Sequence, residues 1–156
     1  MQNIDTLLAH YGESHQNGTN KMIHWLCVPS IMFSLIGLLY SLPFFTTKTM
    51  FLNWGAVFLA AALVYYFRLS MMMFAGFVVI AAGLLWGNHS LAQYLASSNI
   101  SLWQASLLIF AVAWIGQFVG HKIEGKKPSF LEDIQFLLIG PAWLLHFIYK
   151  KIGVQY

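Results

Sequence analysis

The sequence predicts an all-α fold: a polytopic membrane helical bundle of about five apolar segments, with a short N-terminal amphipathic helix. Composition is the first reason. Apolar residues fill 59% of the 156 positions and charged residues only 8%, whereas soluble domains carry about a quarter charged residues. Mean hydropathy is +0.67. The second reason is that the apolar residues gather into runs approaching the ~20 residues that a helix needs to cross a hydrocarbon core. The third is a helical spacing of apolar residues near the start of the chain. One membrane domain, residues 1–156, accounts for the whole length.

The elements follow in order. Ile4, Leu7, Leu8 and Tyr11 recur at helical spacing, with Asp5 and Glu13 between them, which predicts a short helix over residues 1–15 lying on the membrane surface. Asn17-Gly18 is a turn signal. A second short element carries Asn20 and His24 on one face, four residues apart. Pro29 suits the first turn of a membrane helix. Apolar segments follow at about 28–45, 50–67, 70–87, 102–120 and 134–149. Pro43 interrupts the first, which therefore need not cross fully. Segments two and three are joined only by Arg68-Leu69-Ser70, so a tight helical hairpin is required. Residues 88–100 form the longest polar interruption, and Gly140-Pro141 predicts a kink in the last segment.

Charge and cysteine usage exclude other classes. A net charge of +3 with scattered basic residues gives no support to nucleic-acid binding. The single cysteine, Cys27, excludes an internal disulfide and a cysteine-rich metal site. The first 27 residues lack the continuous apolar core of a cleavable signal peptide. If all five segments cross, Lys21, Arg68, Lys122, Lys126 and Lys127 share one side against Lys48, Lys150 and Lys151. That bias favours a cytoplasmic N-terminus.

The chemistry sits in the histidines, six against one arginine. Imidazole is the commonest metal ligand, and a neutral ring is cheaper than a charge in an apolar chain. No H-E-x-x-H pair is present, and each histidine singly also fits an interfacial polar residue. Trp114, Gln117, His121 and Glu124 are spaced 3, 4 and 3 apart and line one helical stripe. A site and a solvated helix end both fit that stripe.

The pattern Tyr11-x3-His15-x4-Asn20-x3-His24-x4-Pro29 resembles the N-terminal signature of the 2-hydroxy fatty acid dioxygenase family, small membrane proteins of fatty-acid α-oxidation. The run Trp114-x2-Gln117-Phe118-x-Gly120-His121-x2-Glu124-x3-Pro128 is similar to that family's second signature, and Asn88-His89 falls where members carry an acid or amide followed by histidine. Cys27, Ser129 and His146 depart from the family's usual glycine, alanine and glutamate.

The resemblance implies an Fe(II) site using His15, His24, His89 and His121, as catalytic and metal-binding residues. Asn20 and Glu124 would orient the imidazoles, as metal-bound histidines require, and Tyr11 and Gln117 would complete the cofactor site. His10 and His146 match no family histidine. The implied partners are a 2-hydroxy long-chain fatty acid, O2 and the lipid bilayer. The alternative is a non-catalytic metal-binding or structural membrane protein. Three full crossings between His24 and His89 would separate them by about 30 Å. Either segment 28–45 fails to cross, or the ligands dip into the bundle, or His89 serves elsewhere; the four-histidine set is preferred here over the crossing count.

Overall fold

The computed structural model describes residues 3–131 and 135–156, apart from the side chain of Phe130. The described residues form helices α1 (Ile4–Glu13), α2 (Gly18–Ser41), α3 (Trp54–Leu69), α4 (Met71–Leu95), α5 (Leu102–Glu124) and α6 (Phe136–Ile152), with one 3-10 turn at Ser129–Leu131 and no strand. Of these, α2, α4 and α5 are long and apolar enough to cross a membrane. At 1.5 Å per residue they span about 35 Å each, against a hydrocarbon thickness of ~30 Å.

Local chemistry sets the boundaries. The Asn17 side chain accepts from the backbone amides of Thr19 and Asn20, so α2 begins at Gly18 and absorbs the short element expected around His24. Pro29 consequently lies well inside the helix, not in its first turn. Ser70 alone separates α3 from α4; its amide donates to the Tyr66 carbonyl and its hydroxyl accepts from the Met73 amide. The polar run that begins at Asn88 stays helical to Leu95, with the buried Asn88 side chain turned into the bundle. Its Nδ2 donates to the carbonyls of Phe33 and Leu84. Gly125, at φ 74°, ends α5 in the left-handed conformation that glycine tolerates.

Helices α2 and α5 form the closest antiparallel pair. A Cβ at Gly120 would meet Asn20 Oδ1 at 2.4 Å, one at Gly116 would meet Cys27 Sγ at 2.6 Å, and one at Gly37 would meet Ser106 Oγ at 2.2 Å. Small residues thus let the two backbones approach, as in membrane helix pairs generally.

Two expectations are corrected. Helix α1 does not rest its apolar face on lipid: Ile4, Leu7, Leu8 and Tyr11 are buried against α6 and the α3–α4 hairpin. Nor does α6 traverse the bundle. Phe136 rests on His10 and Tyr11, while at the other end the Tyr149 hydroxyl donates to the Met72 carbonyl, 2.7 Å away. Both ends of α6 are therefore tied to the same end of the bundle, which α1 and α6 together cap.

Candidate metal centre

The capped end contains the polar core. His15 follows α1, and its Nδ1 lies 2.7 Å from the Tyr11 carbonyl, one of the acceptors that the end of α1 leaves open. His24, in the second turn of α2, places Nδ1 2.9 Å from the Asn20 carbonyl. A carbonyl only accepts, so both Nδ1 atoms carry their ring's proton and both neutral Nε2 atoms present lone pairs. Those two Nε2 atoms are 2.9 Å apart. Two lone pairs at that distance repel unless a proton or a cation sits between them. His121, from the last turn of α5, brings its ring centroid to 4.9 Å from each of the others, and its buried Nδ1 has no hydrogen-bond partner. One nitrogen from each ring lies within 4.8 Å of the other two. All three side chains are buried.

Three converging imidazole nitrogens, two with their tautomer locked and one orphaned, fit a borderline transition metal. The protein also keeps these rings neutral. Burial, then the neighbouring His24, push the His15 pKa down to about 3. Tyr11 stacks on His15, with centroids 4.2 Å apart and planes 14° off parallel, and Trp143 closes a second side at 5.2 Å. Burial raises the Tyr11 pKa, so its phenol stays protonated.

Glu124 holds the ligand-bearing elements together. Its carboxylate accepts from the backbone amides of Gln16 and Asn17, at 2.8 and 2.9 Å, and from Asn20 Nδ2 at 3.0 Å. The α1–α2 turn is thereby pinned to the end of α5. Gln117, buried one turn from His121, hydrogen-bonds His24. It also lines a cavity of about 60 Å³ beside the triad, which Tyr11 and Trp114 share.

Comparison with known proteins places the whole chain in a family. Residues 1–152 match the family described as 2-hydroxy-palmitic acid dioxygenase Mpo1-like. The chain belongs to that family. It is 28% identical over 151 residues to the 2-hydroxy-palmitic acid dioxygenase MPO1 of Saccharomyces cerevisiae, covering 94% of this chain and 79% of the yeast protein. No solved structure matches. At the level of the Mpo1-like family the chain is an oxygenase-type enzyme.

Of the four histidines that the Mpo1-like resemblance groups together, the structure joins three. His89 is at the opposite end. Its Nδ1 is 2.9 Å from the Tyr40 hydroxyl, and its Nε2 is 3.1 Å from Gln93. Tyr40 lies sixteen residues beyond His24 on α2, about 24 Å at the helical rise. A single four-histidine site is therefore not formed, because α2 runs unbroken between the two regions. Asn20 and Glu124 also act differently from the expectation. Their side chains bond to each other and to the α1–α2 turn, and the group that orients His24 is the Asn20 backbone carbonyl. His10 packs edge-on to Phe136, and His146 bonds to the Tyr156 hydroxyl; neither joins the triad.

Sequence reasoning missed Trp143 and Ser14, and met Ser129 only as a departure from the family's usual alanine. The two serine hydroxyls are 2.5 Å apart and tie the α1 end to the loop after α5. Trp143 lies in an apolar run and gives no signal of its own. Ser14 adjoins a singled-out histidine, the one available clue.

Proposed function

We propose that this chain is an Fe(II)-dependent dioxygenase that converts a 2-hydroxy long-chain fatty acid and O2 into the fatty acid one carbon shorter, CO2 and water. The observation that carries the reading is the 2.9 Å approach of the His15 and His24 Nε2 lone pairs, with His121 beside them. The balance closes without another reductant. The C1–C2 bond breaks, C1 leaves as CO2, and the hydroxyl-bearing carbon becomes the new carboxyl carbon. All four electrons that reduce O2 come from the substrate. Bound Fe(II) would supply the redox chemistry that dioxygen requires, held by the three imidazoles.

The remaining work belongs to the protein. The Tyr11 and Asn20 carbonyls keep the Nδ1 protons of His15 and His24 in place, so both Nε2 atoms face the centre. Neutral imidazoles add no charge of their own, which leaves a divalent cation's charge available to an anionic substrate. Tyr11 and Trp143 exclude water on two sides. A 2-hydroxy acid carries its carboxylate and hydroxyl on adjacent carbons, a chelating pair.

In this reading the chain is a multi-pass membrane protein with the site at the cytoplasmic boundary. Seven of its eight basic residues lie at the capped end, since α6 returns Lys150 and Lys151 to it, and Lys48 alone is at the other. The test is elemental analysis of purified protein, with mass spectrometry of products from a 2-hydroxy, a 3-hydroxy and an unsubstituted acid of equal length. Expected are iron in proportion to protein and one-carbon shortening of the 2-hydroxy acid alone, with O2 but without NADPH or 2-oxoglutarate. Equal turnover of all three acids, or an absolute need for either cosubstrate, would overturn the proposal.

A further inference from the structure

The cavity beside the triad tells how an acyl substrate reaches it, granted the function proposed above. Its polar end is His121 and Gln117, and its apolar end is Val28, Ile31, Met32 and Leu137. On α5 the lining runs from His121 back to Trp114, seven residues, so the cavity runs about 10 Å along the helix, away from the capped end. Its volume is about 60 Å³. A cavity of ~150 Å³ is what a benzene ring occupies, so a long acyl chain cannot fit inside. At the apolar end the described residues leave the wall incomplete. Ile31 and Met32 are half-buried and Leu137 is 43% exposed, all three on the apolar outer surface of their helices.

We infer that the 2-hydroxy acid reaches the triad sideways from the bilayer, through a mouth between the N-terminal half of α6 and the α2–α5 pair. Part of its carboxyl head enters the cavity, and the rest of the molecule stays in lipid against Ile31, Met32 and Leu137. The polarity gradient of the cavity, polar at the boundary and apolar with depth, is that of a fatty acid already seated in a membrane. The head therefore reaches the imidazoles without the tail leaving the bilayer. A tail methylene outside the cavity exchanges lipid for lipid and gains nothing from the protein. A closed tunnel filled from water would instead gain about fourfold per methylene, up to a sharp length limit.

The experiment uses the full-length protein in vesicles, with substrate expressed as mole fraction in the membrane. Turnover of straight-chain 2-hydroxy acids of increasing length should stay level. Ile31→Trp and Leu137→Trp, which fill the mouth, should lower long-chain turnover relative to a short water-soluble 2-hydroxy acid by about tenfold, the scale of an overpacked site. Their metal content should match the wild type, as should that of Val79→Trp, on a surface of α4 that is 73% exposed. A sharp length limit, or Trp variants that behave like Val79→Trp in an active enzyme, would overturn the lateral route and leave the proposed reaction standing. If the wild type turns over no 2-hydroxy acid, the reaction fails and the route is read by photolabelling. A diazirine in mid-tail captured on Ile31, Met32 or Leu137 supports the mouth; capture confined to other surfaces overturns it.

Discussion

Gly120→Ala tests whether the close approach of α2 and α5 supports the metal centre. The added Cβ would sit 2.4 Å from Asn20 Oδ1 and 3.4 Å from Ile23 Cγ2, the first being 1.0 Å short of ordinary contact at 3.4 Å. The Asn20 amide has nowhere to retreat. It is fully buried, and its Nδ2 is committed to Glu124 at 3.0 Å and to the Ser14 carbonyl at 3.3 Å. Overpacking of this kind costs about 1–3 kcal/mol, and loss of a hydrogen bond to a charged group adds about 1.5–3 kcal/mol. The gain in helix propensity offsets only about 1 kcal/mol. The net is a loss of roughly 1.5–5 kcal/mol, which lowers Tm by about 3–20 °C in a chain of this size. Gly83→Ala is the control, because a Cβ there meets nothing within 4 Å; it should leave Tm level or raise it slightly. His24 donates to the Asn20 carbonyl, so Gly120→Ala should also weaken metal binding. Thermal unfolding in detergent and metal titration of both variants read the outcome. Equal Tm and equal metal affinity for the two would refute the reasoning.

Other perturbations follow from the same geometry. His15→Ala, His24→Ala and His121→Ala should each lose most of the bound metal by elemental analysis, whereas His89→Ala should keep it, about 24 Å distant by the helical rise. Glu124→Gln keeps one carbonyl acceptor but turns an amide toward the donors of the α1–α2 turn, and should cost about 1–3 kcal/mol in chemical denaturation, with faster amide exchange at Gln16 and Asn17. For metal-free protein, His15 has a folded pKa of about 3 against an ordinary 6.5. As pH falls the unfolded chain takes up that proton first, so stability is full above about 6.5 and is lost progressively toward 3. His15→Gln should shallow that slope in denaturation curves taken across the range, and an unchanged slope would show that other groups dominate.

Much of the architecture was legible because lipid imposes it. A span must be apolar and about 20 residues long, so the five apolar runs mark α2 to α6, and the turn signal Asn17-Gly18 falls just beyond the end of α1. The two signature runs likewise singled out His15, His24 and His121, the three histidines that meet. What one-dimensional pattern could not decide was where each run lies. The run at 134–149 is as apolar as the others, yet α6 caps the bundle because its two ends find Tyr11 and Met72 on the same side. His89 looks like its fellow histidines in the sequence, but α2 continues through Pro29 and carries Tyr40, its partner, to the far end. Glu124 is expected to orient an imidazole, but the fold brings the Gln16 and Asn17 amides to it. Composition and periodicity report a residue's solvent and its neighbours within a helical turn. Which imidazoles converge depends on contacts more than a hundred positions apart, such as those of Glu124 with the α1–α2 turn, and only the packed helices supply them.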